Sequence, residues 1–442
     1  MVTLAFGTII AILINEMTFL TNGPMGITLQ TPVIYDFRDW GDSIEFFDMS
    51  MGRMRAFQFY FVVMAALLLT LFLVNRLIGS RYGRAFEALR DSPIACDCMG
   101  VSVYKHKVIA FVASAGLAGL AGGLFAYSEQ YIAPNNFSTE LSIQFLLGVT
   151  LGGRKSRIGP ILGAVVIVVL PNLLADIQLF RILAGIVAAI AVVAGVVTWR
   201  KRPDEARQVA VPVGLCVAFF VFSLLLHEIT DYKLTVFGLM ILFVVYYLPN
   251  GIAGALRALL AGANFGHTTF SASGDDAHVW AAAAPAASQS DLLQVQQVVM
   301  QFGGLRALNQ VDLAVRGGTI HGLIGPNGSG KSTMMNVLTG IYTPTSGAIL
   351  WEGANIAGRL SPDIAGAGIA RTFQNVQLFG ELTCVENIMV GLHHTYRSTM
   401  AEVLLGLPRA QREERAAALR AASLLRFVGL EMLANEEARN LP

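Results

Sequence analysis

Charge is scarce in this sequence. Only 14% of its 442 residues are Asp, Glu, Lys or Arg, against roughly 25% in soluble domains. With a formal net charge of +1, bulk electrostatics give no reason to expect a nucleic-acid partner. Cysteine is scarce too. Cys96, Cys98, Cys216 and Cys384 are too few and too scattered for a disulfide framework or a four-ligand zinc site. No charged leader stands before the apolar start Val2-Thr3-Leu4-Ala5-Phe6, so no signal peptide is read there. What is abundant is apolar sequence, 54% of the chain, and most of it lies before residue 250. Beyond about residue 290 charges and turns are mixed as in a soluble domain, so two unlike domains are expected.

Runs long enough to cross a bilayer, about 20 residues each, occur near 2–20, 57–79, 107–127, 158–175, 181–199, 210–227 and 233–250. A shorter one at 138–152 carries Glu140 and the Gly152-Gly153 pair, which reads as a short or broken helix among the others. Counting it gives about eight spans, and the basic residues then alternate in sidedness. Arg76, Arg81, Arg84, Arg90, Lys105 and Lys107 mark one cytoplasmic loop. Arg154, Lys155 and Arg157 mark a second, and Arg200, Lys201, Arg202 and Arg207 a third. The same alternation brings the end of the last span, Pro249-Asn250-Gly251, to the cytoplasmic side.

Within the first basic loop, Ser92 is a good N-cap, Pro93 suits the first helical position and Gly100 a terminator. A short surface helix is predicted between them, including Ile94, Ala95 and Met99. From Gly262 to about Gln289 the chain is rich in Ala, Ser and Gly, a composition that buries no core and reads as a tether.

Gly325-Pro326-Asn327-Gly328-Ser329-Gly330-Lys331-Ser332 matches the phosphate-loop pattern GxxxxGK[ST], with Thr333 following. Thr319–Ile324 before it reads as a buried strand and Ser332–Leu338 after it as a helix. Glycines let successive N–H groups turn inward to phosphate, and the helix N-terminus adds partial positive charge. Lys331 is placed to reach the β- and γ-phosphates of ATP, and the Ser332 hydroxyl to ligate Mg²⁺. The motif by itself leaves ATPases, GTPases and kinases open, but no base-reading Asn-Lys-x-Asp run accompanies it. Leu292–Phe302 reads as a period-two strand, and Thr383 with Glu386 as a capping box. The neighbours His393 and His394 do not point to one metal site, since adjacent side chains diverge.

Two resemblances complete this reading. Residues 83–112, with Leu151-Gly152-Gly153, Gly159-Pro160-Ile161-Leu162-Gly163-Ala164 and Phe237-Gly238-Leu239, resemble the permeases of branched-chain amino-acid ABC importers. Residues 292–442, with Phe302-Gly303-Gly304-Leu305 and Arg371-Thr372-Phe373-Gln374-Asn375, resemble the ATPases of those importers. The resemblance implies an α-helical multi-span membrane domain at 1–255, a linker at 256–290 and an α/β P-loop ATPase domain of the ABC type at 291–442. It implies that Phe302 stacks on adenine and that Gln374 senses Mg²⁺ and the attacking water. The helix spanning Ser92, Pro93, Ile94, Ala95, Met99 and Gly100 becomes a coupling helix that docks on the ATPase. Its partners are then a second permease subunit, a second ABC ATPase subunit, an extracytoplasmic substrate-binding protein and membrane lipid, with no nucleic acid. The setting it implies is the bacterial inner membrane, with the ATPase in the cytoplasm.

The chain departs from that family at three places. The family's first spans are absent, and 181–232 looks like an added pair. The similarity also stops at Leu441-Pro442, two residues into the signature loop, before the general base and the switch histidine. Poor hydrolysis by the chain alone is expected. Relatives carrying other amino acids, amides or urea, and a non-catalytic fragment or a membrane-tethered P-loop NTPase, stand as the alternatives.

Overall fold

The computed structural model describes residues 2–29, 51–137, 139–174 and 177–201 apart from 155 and 157, then 251–259, 291–373 and 377–441, with isolated positions between 213 and 246. In chain order the longer helices are α1 (Val2–Glu16), α2 (Met51–Ile78), α3 (Arg81–Asp91), α4 (Pro93–Cys98), α5 (Val103–Glu129), α6 (Thr139–Gly152), α7 (Gly159–Leu174), α8 (Ile177–Lys201) and α9 (Gly251–Leu259). After them come strands β1 (Asp291–Phe302) and β2 (Leu305–Arg316), helix α10 (Lys331–Leu338), strands β3 (Ser346–Trp351) and β4 (Ala354–Asn355), and helices α11 (Ser361–Gly366), α12 (Cys384–Gly391), α13 (Met400–Leu405) and α14 (Pro408–Phe427). The contacts divide the chain into two compact units, one of residues 1–30 with 129–266 and one of 31–128 with 267–442.

Two described helices, Phe59–Ile78 and Val103–Glu129, are long and apolar enough to cross a membrane. Helix α6 is 14 residues long, which at about 1.5 Å per residue spans only ~21 Å, short of the ~30 Å hydrocarbon layer. The expectation of a short helix there is met. The expected spans at 210–227 and 233–250 lie almost wholly outside the described residues.

In the first unit α6 packs against α7 through glycines spaced four apart on both helices. A Cβ on Gly163 would sit 1.8 Å from the Gly148 carbonyl oxygen, and one on Gly152 would sit 1.7 Å from that of Gly159. Any side chain at these positions would force the backbones apart, so the pair is built on small residues, as close helix packing in membranes demands.

The C-terminal part of the second unit holds a four-stranded antiparallel sheet in the order β2-β1-β3-β4. Its core joins Leu293, Val295, Val298 and Met300 of β1 with Met334, Val337 and Leu338 of α10 and Ile349 of β3. The expected period of two holds on either side of a bulge, because the buried positions shift by one between Val295 and Val298. At the bulge Gln297 takes a left-handed backbone, φ 48, and its N–H donates to Asp312 Oδ1 at 2.8 Å. The local donor is thereby satisfied without the ladder.

One strand expectation fails. Thr319–Ile324 is not a strand and is not buried, with Ile320 102% and Ile324 94% exposed. The apolar pattern is there, but a strand forms only against a partner, and no described strand lies beside it. Gly368–Phe373 likewise carries no strand, although Ile369 packs on the core.

Candidate functional site

The phosphate-loop motif leads into α10 as expected. Gly330 caps that helix in the left-handed region, φ 89, and Gly328 adopts φ 86. A Cβ on Gly330 would lie 2.7 Å from the Ala307 carbonyl oxygen and 2.9 Å from Leu308 Cδ2. Both the angle and the space therefore demand glycine. Gly325, Pro326, Asn327, Gly328, Ser329 and Ser332 are exposed, Thr333 is partly buried, and the cap makes no side-chain hydrogen bond to the first N–H groups of α10. Lys331 Nζ donates to the carbonyls of Gly325 and Pro326, both at 2.7 Å, so its ammonium is folded over the loop. An open helix N-terminus, a glycine cradle and a held ammonium fit a polyphosphate. Toward Mg²⁺ the described residues offer the Ser332 hydroxyl, while Gln374 lies outside them.

Phe302 ends β1, 41% exposed, with its ring 5.1 Å from Tyr342 in an edge-on arrangement. The aromatic partner was not anticipated, because Tyr342 reads in sequence only as the start of a turn. Arg371 reaches the Asn336 side chain on α10 and lies over the Phe373 ring.

The second feature is the joint made by α3, α4 and the residues up to Val101. As predicted, Ser92 caps α4, its hydroxyl accepting from the Ala95 N–H at 3.4 Å, with Pro93 in the first turn. Gly100, φ 85, then turns the chain beside Pro362, Ala365 and His394. Helix α4 packs against α11, and Ser92 Oγ also donates to Gln377 Oε1 at 2.9 Å. Ala85, Ala88, Ala95, Cys96 and Val101 form one buried cluster with Phe379, Leu382 and Val390, and Met99 packs at its edge. Ala95, Cys96, Val101 and Phe379 are completely buried. The Thr383–Glu386 capping box is present at the start of α12, which carries Val390 to this cluster. Ile94, by contrast, is 57% exposed.

Polar contacts surround that apolar centre. Arg84 is buried, paired through both terminal nitrogens with the Glu414 carboxylate on α14, the second contact at 3.0 Å. Its Nη2 also donates to the Tyr396 hydroxyl at 3.0 Å. Burial opposes the Arg84 charge, but the Glu414 hydrogen bond and charge, then Tyr396 and Glu386, keep its pKa raised. Arg81 donates to the Ser398 carbonyl and lies over the Tyr82 and Tyr396 rings. Burial first, and the charges of Asp97 and Asp91 next, push the Cys96 thiol up to about 12. Burial, with His106, Arg81, Arg84 and His394 behind it, pushes His393 down to about 3, and its ring meets that of His106 edge-on at 4.9 Å. Among the described residues no group of three metal-ligating side chains forms. Sequence reasoning took Arg84 as a marker of sidedness and missed Glu414, Tyr396 and Phe379, which lie some 300 residues away and carry no local signal.

The comparisons with known proteins fall on the same two regions. The model of the branched-chain amino acid transport system permease component matches residues 1–245, and the ABC transporter model matches residues 308–441. The high-affinity branched-chain amino acid transport ATP-binding protein LivG of Escherichia coli (strain K12) is 43% identical over 150 residues, 34% of this chain and 59% of that protein. The corresponding permease protein LivM is 35% identical over 192 residues, 41% of this chain and 45% of that protein. The chain thus spans between 45% and 59% of the length of these relatives. A solved nucleotide-free ATP-binding cassette from an ABC transporter shares 32% identity over 35% of this chain and 60% of its own, with a TM-score of 0.29. With the permease model covering more than half of its 442 residues, the chain belongs to the branched-chain amino acid transport permease family, and it carries an ABC ATPase region in the same polypeptide.

Proposed function

We propose that this chain supplies one permease and one ATP-binding region to an importer of branched-chain amino acids in the bacterial inner membrane, with the ATPase in the cytoplasm. The observation that carries the proposal is the joint. A loop of the permease region and the surface of the ATPase region share a buried cluster in which Ala95, Cys96 and Phe379 are fully enclosed. An interface of that kind passes movement in one part to the other, because a close-packed core shifts as a body and does not stretch.

In this reading the loop 325–330 and the N-terminus of α10 bind the phosphates of ATP, Lys331 moves from its two carbonyls onto them, and Phe302 with Tyr342 offers a ring surface for the base. Ser332 and Gln374 would hold Mg²⁺. The metal would supply charge neutralisation at the transferring phosphoryl group. Nucleotide favours the closed state of two paired ATPase regions, and its differential affinity for that state moves the coupling helix 93–98. A second permease, a second ATPase and an extracytoplasmic substrate-binding protein complete the assembly.

The test is leucine uptake by proteoliposomes holding the complete assembly. Lys331→Ala should abolish uptake and weaken binding of a fluorescent ATP analogue more than tenfold. Uptake by the alanine variant at the wild-type rate refutes the reading, as does failure of the intact assembly to carry any branched-chain amino acid.

A further inference from the structure

The apolar centre of the joint explains adhesion but not choice. Alanines, a cysteine and a valine against Phe379, Leu382 and Val390 would accept many apolar surfaces of similar shape, since hydrophobic contact is non-directional. The directional contacts lie beside it and come from α3. Arg84, its side chain 8% exposed, meets Glu414 in a two-nitrogen fork and the Tyr396 hydroxyl at 3.0 Å. Arg81 meets the Ser398 carbonyl. Arg76, at the end of α2, lies against Gly406, where a Cβ would come 3.2 Å from the guanidinium carbon. Of the carboxylates on α13 and α14, Glu414 meets Arg84, while Glu402 and Glu413 pair with Arg409. Glu413 accepts from the backbone N–H groups of Arg397 and Ser398, holding in shape the loop whose carbonyl Arg81 reads.

We infer that Arg84, seconded by Arg81, is the element by which this permease selects its ATPase, and that the partner it fits is an ATPase surface of this chain's own kind, with a carboxylate at 414 and a phenol at 396. The inference rests on the proposed docking of the permease loop and adds to it the residues that set its specificity.

The physical argument is one of exclusion. A buried ion pair adds little to affinity over an apolar pair of the same shape, whereas removing one partner leaves a charge stranded away from water. Among the described residues the buried Nε of the Arg84 guanidinium has no partner, so none of them replaces Glu414 when it is lost. An ATPase lacking the carboxylate is rejected by the cost of burying Arg84 unpaired, which is specificity by destabilising the wrong complex. A lysine would not substitute, because one ammonium cannot make the fork and reach the phenol together.

The experiment uses the full chain with a site-specific protease sequence placed at 281–284, cut after purification in detergent, and gel filtration to ask whether the two pieces remain together. In the unmodified sequence they co-elute. Arg84→Glu and Glu414→Arg should each weaken the association by on the order of a hundredfold, releasing the ATPase piece. The exchanged pair R84E/E414R should restore co-elution, and so should the uncharged pair R84M/E414M, while E414M alone, which strands Arg84, should not. Single variants that stay associated, or double variants that separate as fully as the single ones, overturn the selection by Arg84 while leaving the docked joint standing. Separation of the unmodified pieces overturns the joint and the selection together.

Discussion

Truncating Phe379 to alanine should unseat the permease loop, and Cys96 offers a direct way to see it. Phe379 is fully buried, with Ala85, Ala88, Ala95, Cys96 and Val101 on the permease side and Leu382 and Val390 on its own. Removing such a ring costs about 3–5 kcal/mol, the lost transfer energy plus the void left behind. If about half of that belongs to the permease-side contacts, the equilibrium for opening the joint rises roughly tenfold to seventyfold. Cys96 is enclosed in the same cluster, and its thiol is pushed up to about 12. Closed, it is neither accessible nor ionised near pH 8. Open, it returns toward the ordinary thiol range of about 8.5 and meets reagent. Alkylation of Cys96 therefore reports the open fraction.

The measurement is the rate of Cys96 alkylation by a maleimide, resolved by peptide mass spectrometry, in the full chain and in the Phe379→Ala variant. Cys384 is the internal control, since it is buried in a separate cluster with Val385, Met389 and Leu425. The expected outcome is a rise of at least tenfold at Cys96 with little change at Cys384. Equal acceleration at both would mean that Phe379 supports the ATPase region as a whole. An unchanged Cys96 rate, with the protein demonstrably less stable to heat, would refute the reasoning that this ring joins the two parts.

Three further outcomes are expected. His393 is held neutral in the joint, pushed down to about 3 by burial and by its cationic neighbours, so its contribution is complete above its ordinary value near 6.5 and is lost as pH falls through the window toward 3. Association of the cleaved halves should weaken by about fivefold between pH 6.5 and 5.5, and His393→Gln should flatten that slope; an unaltered slope would show that other groups carry it. Gly330→Ala should cost about 1–3 kcal/mol of local strain, because φ 89 and a carbonyl 2.7 Å from the new Cβ both oppose it; binding of a fluorescent ATP analogue equal to that of the parent chain would contradict this. Met99→Asp should raise Cys96 alkylation more than Ile94→Asp does, since Met99 packs on the buried cluster while Ile94 is 57% exposed; the reverse order would assign the docking surface to the other face of α4.

The features legible in the sequence are those whose cause is local. Ser92-Pro93 and Thr383 with Glu386 start helices where they were expected to, because a cap is settled within one turn. The phosphate loop leads into α10 for the same reason, with Gly330 needed at its own φ. Pairing over distance was not legible. Thr319–Ile324 has the composition of a strand but no described neighbour, and a periodic pattern states only that a segment can pair, never with what. The bulge at Gln297 depends on Asp312 across the hairpin, and Phe302 depends on Tyr342.

Arg84 shows most clearly how one residue answers to both scales. Read along the chain it is one of several basic residues from which a cytoplasmic loop is expected, and for that purpose any lysine or arginine would serve. Read in space it is buried and tied to Glu414 and Tyr396, for which only a forked cation will do. The two roles are consecutive steps. In the proposed topology, sidedness delivers the residue to the compartment where an ATPase can meet it, and the meeting then takes it out of water. A basic residue in such a loop therefore has two distinguishable tests, since Arg84→Lys should leave the topology unchanged while weakening the joint. An Arg84→Lys chain whose cleaved halves hold together as firmly as the parent's would return Arg84 to the role of a topological marker alone.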